Sequence, residues 1–263
     1  MKPLAIVLHA AGINRDIDAA YALELAGAEV RIIHVNELRT NRGILSESRI
    51  LVVPGGFSYA DALGAGRLFA LDIASFFKDE VSEFVAKGKP VIGICNGFQT
   101  LVKASILPGL GIFPGDSAER YATLTDNENR RFECRWVTMR VEESPCIWTK
   151  GLKAPIVCPI AHGEGRFVLK DESRLGALLE RKLIALSYAL PDGSPAAGRY
   201  PDNPNGSLAD IAGICNPMGN VLGLMPHPED NVRSGPGERA YRGGKVGGGL
   251  DLFANGVRYA NQL

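Results

Sequence analysis

Excess charge of either sign is missing from this chain: 29 lysines and arginines meet 29 aspartates and glutamates over 263 residues. Proteins that work on nucleic-acid phosphates or an anionic membrane show a basic excess or a basic face, because counterion release needs clustered cations. Residues 1–131 carry 14 basic and 15 acidic side chains and the rest carry 15 and 14, so neither part is a charged arm. Long apolar runs are missing too, none approaching the roughly 18 residues of a membrane span. The opening "MKPLAIVLHAAGINRDID" holds one lysine and a short apolar run broken by His9, without a persuasive cleavage site, so it reads as a first strand and points to the cytoplasm. The five cysteines, Cys95, Cys134, Cys146, Cys158 and Cys215, are odd in number and contain no C-x-x-C pair. That speaks against a disulfide scaffold and against a zinc site, so no metal is expected. The dinucleotide spacing G-x-G-x-x-G and the P-loop spacing are both absent, which weakens a nucleotide reading. With no internal repeat and no long linker, residues 1–263 read as one domain.

What is present in excess is glycine, 31 residues or about 12% against an average near 7%. Short apolar runs alternate with amphipathic stretches, the pattern of βα units on a parallel sheet. Four runs, Leu4 to His9, Val30 to Val35, Ile50 to Val53 and Val91 to Ile94, suit buried strands. Asp16 can cap a helix that ends near Gly27, and a second helical stretch runs from Asp61, with a break, to Gly88. From Arg120 to Val141 the runs turn β-like around "TDNENR", a polar cluster suited to a hairpin turn. "APIVCPIA", "LIALSYA", "ADIAGICN" and "NVLGLMP" follow as strands, with "NPMGN" as a turn between the last two. Asp171 to Lys182 and Leu250 to Leu263 read as helices. The expectation is an α/β fold, a mostly parallel open sheet flanked by helices with added antiparallel strands.

The chemistry concentrates in four places. "KPVIGICNGFQTLVKAS" runs a buried strand into a helix through Gly-Ile-Cys-Asn-Gly, the nucleophile-elbow pattern with cysteine in place of serine. Gly93 and Gly97 would clear the turn, and the unpaired N–H groups of the following helix would favour a Cys95 thiolate and a developing oxyanion. A cysteine nucleophile needs a base and the base an orienting group. His227 and Glu229 in "VLGLMPHPED" are two apart in extended backbone, so both point the same way. "VVPGGFSYADALGAG" is a strand entering a glycine-rich loop that can lend backbone N–H groups to an oxyanion. "IAHGEGRF" places His162, Gly163 and Glu164 in a polar loop after a strand, with His162 a rival general base. His9 and His34 are most simply strand residues.

Together these motifs resemble the class I glutamine amidotransferases, and among them the glutaminase subunits of phosphoribosylformylglycinamidine synthases of purine biosynthesis. "CNGFQ" is similar to the nucleophile motif of the wider class, while "PGGFSYAD", "AHGEG", "NPNGS…DIAGI", "GLMPHPE" and "GINRDID" look like the purine subunits. The resemblance implies a flavodoxin-like sheet, Cys95 as nucleophile, His227 as general base and Glu229 as its orienting carboxylate. It further implies an oxyanion hole of backbone N–H groups from Gly55, Gly56 and Phe57 and from Asn96. Glutamine would be held with the help of Gln99 and the His162-Gly163-Glu164 loop. The implied partners are glutamine, a large synthetase subunit and a small bridging subunit, with no nucleic acid and no membrane. No cofactor is expected in this chain; ATP and Mg²⁺ would sit on the synthetase.

Three places depart from the family pattern. Ala60 stands where glycine is frequent, Asp230 follows Glu229 where arginine is common, and residues 235–249 form a glycine-rich insertion before the last helix. Three other readings keep parts of the pattern. They are an amidotransferase of another pathway, a protease, deglycase or chaperone-like relative with a reactive elbow cysteine, and a noncatalytic regulatory subunit.

Overall fold

The computed structural model describes residues 2–109, 121–233 and 248–263. The chain begins with β1 (Leu4–His9), α1 (Asp16–Leu25), β2 (Glu29–His34), α2 (Val35–Thr40), α3 (Gly43–Glu47) and β3 (Ile50–Val53). It continues through α4 (Arg67–Phe76), α5 (Lys78–Ala86), β4 (Val91–Ile94) and α6 (Asn96–Lys103). Then come β5 (Ala122–Thr125), β6 (Glu133–Val141), β7 (Ile156–His162), β8 (Arg166–Leu169) and α7 (Leu175–Glu180). The last elements are β9 (Ile184–Ala189), β10 (Ile211–Cys215), β11 (Val221–Leu224) and α8 (Leu250–Ala260).

Nine strands form one sheet in the order β2-β1-β3-β4-β11-β10-β9-β6-β7. The pairs from β2 to β11 are parallel, and those from β11 to β7 antiparallel. The parallel half thus has the flavodoxin-like order, with β11 as its fifth strand. The central strands are apolar on both faces because helices cover both: all four residues of β3 and all four of β4 are buried. Helix α4 turns Phe69, Ala70 and Ile73, at helical spacing, toward that core. Strands β5 and β8 pair as a separate antiparallel ribbon, whose Phe167 ring stacks on Phe98 of α6 with centroids 6.3 Å apart and planes 5° from parallel.

The expected strands at Leu4–His9, Ile50–Val53 and Val91–Ile94 appear with those bounds, while β2 stops at His34 because Val35 opens α2. Three local expectations fail. Asp16 is the first helical residue of α1 rather than its cap, and its carboxylate takes a 2.7 Å hydrogen bond with His9 Nδ1 instead. "TDNENR" is not a hairpin turn: it leads from the small ribbon into the large sheet, since β5 pairs with β8 and β6 with β7 and β9. The stretch from Asp171 to Lys182 is broken into a single 3-10 turn and a short α7. Most of the 235–249 insertion lies outside the described residues. Gly249 at its end packs on the carbonyl of Pro228, where an added methyl carbon would lie 2.0 Å from that oxygen.

Candidate active site

Sheet order sets the site. Because β3 and β11 lie on either side of β4, the loops leaving their C-terminal ends flank the residue that follows β4, and that residue is Cys95. Open α/β sheets place ligands at this end. Cys95 has φ 50° and ψ −106°, a sparsely populated conformation for a side-chain-bearing residue, held between strand β4 and helix α6. Two glycines make it possible. A methyl on Gly97 would lie 1.8 Å from the carbonyl oxygen of Val53, and one on Gly93 would lie 2.8 Å from that of Gly97. The elbow is therefore pressed against β3 with no space for side chains at either position.

His227, Glu229 and Cys95 meet in the interior, exposed by only 3%, 3% and 4%. Glu229 Oε1 bonds His227 Nδ1 at 2.6 Å, and the imidazole and Cys95 both flank Gly55. Burial opposes charge on this ring, but the Glu229 carboxylate and Cys95 outweigh it and hold the imidazolium well above the usual histidine range. Edge strand β7 sets the register of this group. The carbonyls of Val157, Pro159 and Ala161, alternate residues facing away from β6, lie opposite Asn231 Nδ2 at 2.6 Å, His227 N–H at 2.8 Å and Cys95 Sγ at 3.9 Å. Pro159 loses no ladder bond there, since its missing N–H would face the same outer edge.

The oxyanion candidates separate. A methyl on Gly55 would lie 2.7 Å from His227 Cε1 and 3.5 Å from Cys95 Cβ, so the Gly55 backbone lines Cys95 directly. Gly56 follows, with φ 131°. Phe57 is a correction: its N–H already donates to the Gly12 carbonyl at 3.0 Å and its side chain is 43% exposed, because the loop pairs with the segment after β1. Asn96 begins α6, where first-turn N–H groups lack helical acceptors. Its side chain braces the glycine-rich loop, accepting from Ser58 Oγ at 2.6 Å and donating to Asp61 Oδ1 at 2.8 Å.

The expected substrate residues are joined mainly to one another. Gln99 Nε2 donates to the Glu164 carbonyl at 2.6 Å and Gln99 Oε1 accepts from Asn96 at 3.2 Å. The Glu164 carboxylate accepts from the Ala65 N–H at 3.1 Å and pairs with Lys103 at 3.5 Å. Gly163 contributes its carbonyl to the Asn127 N–H at 2.8 Å. His162 is buried, and the 162–165 loop folds back so tightly that a methyl on Gly165 would lie 2.1 Å from its ring. Burial, reinforced by the charge of His227, pushes the His162 pKa down to about 3. A neutral ring without a carboxylate partner does not match the orienting arrangement around His227, so His162 is the weaker candidate base.

Several organising residues were not legible in the sequence. Asn127, inside "TDNENR", is 1% exposed and holds the loop through the carbonyls of His162 and Arg131 and the Gly165 N–H. Asn205 and Ser207 of "NPNGS" support the Gly165 carbonyl from the other side. Arg15 reaches Asp230 at 3.4 Å, tying "GINRDID" to the loop that carries Glu229. Ala60, with φ 54°, occupies a left-handed position between Tyr59 and Asp61, which share that conformation. A separate crevice of about 420 Å³, lined by His34, Asn36, Arg39, Tyr59 and Asp72 among others, contains no triad residue. Among the described residues no cluster of three His, Cys, Asp or Glu is placed to hold a metal ion, and no helix is long and apolar enough to cross a membrane.

Residues 2–260 match the family model for CobB/CobQ-like glutamine amidotransferase domains. The chain is 58% identical to the phosphoribosylformylglycinamidine synthase subunit PurQ of Treponema denticola, over 98% of this chain and 99% of that protein. To the PurQ subunit of Methanococcus maripaludis it is 41% identical, covering 99% and 98%. Among solved structures it resembles a chain of PurLQS from Thermotoga maritima, with TM-score 0.71, 32% identity and coverage of 98% and 99%.

Proposed function

We propose, for a chain that belongs to the CobB/CobQ-like glutamine amidotransferase family, that Cys95, His227 and Glu229 are the groups that release ammonia from glutamine. The protein is a glutamine amidotransferase, and its activity is the glutaminase step of phosphoribosylformylglycinamidine synthase in purine biosynthesis. The observation that carries the assignment to these three residues is their buried convergence, with Glu229 on Nδ1 of His227 and the imidazole and Cys95 on the two sides of Gly55.

In the reaction the Cys95 thiolate adds to the side-chain carbonyl carbon of glutamine. The oxyanion that develops is met by backbone N–H groups of Asn96 and of the Gly55-Gly56 turn. Collapse of the tetrahedral intermediate breaks the carbon–nitrogen bond as His227 gives its proton to the departing ammonia. A γ-glutamyl thioester remains. Water, deprotonated by His227, adds to it and frees glutamate and the thiolate, while Glu229 keeps the imidazole oriented through both steps. Gln99 and the His162-Gly163-Glu164 loop form the wall against which glutamine lies, and residues 1–263 act as one domain.

Ammonia released to water would be protonated and lost as a nucleophile, so this chain works against a synthetase subunit that receives it. On that large partner, ATP and Mg²⁺ would activate formylglycinamide ribonucleotide, and a small bridging subunit would complete a cytoplasmic assembly. Replacement of Cys95 by alanine tests the assignment in the assembled synthase. Glutamine-dependent synthesis should disappear while synthesis from added ammonium persists; surviving glutamine-dependent turnover would remove Cys95 from the mechanism.

A further inference from the structure

Two carboxylates stand side by side on the 3-10 turn Pro228–Asn231, Glu229 buried and Asp230 partly so. The Asp230 N–H donates to the His227 carbonyl at 3.2 Å, which fixes its place relative to the imidazole. Glu229 meets His227 through Oε1, and its Oε2 has no hydrogen-bond partner among the described residues. A buried carboxylate keeps its charge only where its surroundings favour it. Asp230 works against that charge, because like charges at close range disfavour joint ionisation. Burial and the charge of Glu229 in turn push the Asp230 carboxyl above its ordinary range.

The opposing charge comes from 215 positions away in the chain. Arg15, between β1 and α1, places Nη1 3.4 Å from Asp230 Oδ1 and 3.1 Å from Asp18 Oδ2, and its guanidinium also interacts with the charge of Glu229. Strand β7 and helices α1 and α8 pack on the turn, and their titratable groups do not supply this cation. On β7, burial holds the Cys158 thiol well above its ordinary range, and His162 is neutral. On α1, Asp18 adds negative charge, and the guanidinium of Arg233 is turned onto the Tyr21 ring at 4.5 Å. On α8, Asp251 is exposed and Arg258 donates to Asn255 of its own helix.

We propose that Arg15 is a positioning residue for the glutaminase step: paired with Asp230, it balances the second carboxylate of the turn and so keeps Glu229 anionic against His227. The inference rests on the assignment of Cys95, His227 and Glu229 and adds a charge brought by the β1–α1 loop. Arg15 acts through Asp230 and touches no reacting atom.

The test is the pH profile of glutamate release from glutamine in the assembled synthase, with ammonium-dependent synthesis run beside it to remove the synthetase's own pH dependence. Arg15→Gln leaves Asp230 unbalanced, so the triad holds its protons more tightly. The profile should move to higher pH by about 0.2–0.7 unit, the size expected of a pair that water partly screens. Asp230→Asn removes the opposing charge and should move the profile to lower pH by a similar amount. Arg15→Lys, which keeps the charge, should follow the parent, and the double variant should lie between the two single ones. A mere tether would lower the rate of both single variants with no shift, or shift both in one direction; either result overturns the proposal. Where Arg15→Gln does not fold, Asp230→Asn decides, and a profile that stays in place or moves to higher pH refutes the idea. Glutamate release that survives Cys95→Ala would instead refute the triad assignment on which the proposal rests.

Discussion

Replacing Gly55 by alanine would place one methyl group between His227 and Cys95, the proposed base and nucleophile. The new carbon would lie 2.7 Å from His227 Cε1, 3.4 Å from His227 Nδ1 and 3.5 Å from Cys95 Cβ. The cysteine contact is ordinary, so the clash falls on the imidazole: 3.4 Å less 2.7 Å leaves about 0.7 Å that the ring or the loop must give. The ring cannot yield freely, because Nδ1 is held by Glu229 at 2.6 Å and the backbone by the Pro159 carbonyl at 2.8 Å. Nor does backbone conformation forbid alanine, since Gly55 is not among the glycines with positive φ. Misplacement of a reacting group by about 1 Å costs on the order of 100-fold in rate. Gly55→Ala is therefore expected to lower glutamine-dependent kcat/KM by about 10- to 100-fold. Overpacking should cost about 1–3 kcal/mol of stability. The assay is glutamine-dependent synthesis in the assembled synthase, with ammonium-dependent synthesis reporting an intact partner. Gly176→Ala is the matched control, because no heavy atom lies within 4 Å of its added methyl. Glutamine-dependent activity within about twofold of the parent would refute the placement of Gly55 against His227.

Ala60 is exposed and left-handed at φ 54°, so Ala60→Gly relieves strain while removing little buried surface; thermal or urea unfolding should show a gain of about 0.5–1 kcal/mol, and a loss would contradict the backbone assignment. His162 gives a pH prediction. The folded ring stays neutral down to about 3, whereas the unfolded ring titrates near 6.5, so between these values the unfolded chain binds a proton that the folded chain does not. Stability from this group is complete above about pH 6.5 and falls as pH drops toward 3, at up to about 1.4 kcal/mol per pH unit. His162→Gln removes that slope, so urea unfolding of variant and parent should differ progressively in the variant's favour on acidification. Parallel curves would show that His162 is not buried in the neutral form.

The sequence by itself determined the βα alternation, three strands of the parallel half to the residue, and the local form of the elbow. These are short-range matters: periodicity decides which face is buried, and Gly93 and Gly97 around Cys95 permit a turn that other residues would obstruct. It also paired His227 with Glu229, but on the premise of extended backbone, whereas Pro228–Asn231 is a 3-10 turn and the two side chains meet across its start. The tertiary structure decided what depends on partners distant in sequence. "TDNENR" has the composition of an exposed turn, yet Asn127 is buried because the carbonyls of His162 and Arg131 need its amide, and no local pattern marks that need. Phe57 sits in a glycine-rich loop suited to an oxyanion hole, but pairing of that loop with Gly12 turns its N–H elsewhere. The ladder of β7 carbonyls beneath Asn231, His227 and Cys95 exists only because the outermost strand of the sheet leaves its edge open to the loop after β11. Residue types and spacing named the candidate reacting groups; strand order brought Cys95 and His227 together, because β4 and β11 are neighbours in the sheet although more than a hundred residues separate them in the chain.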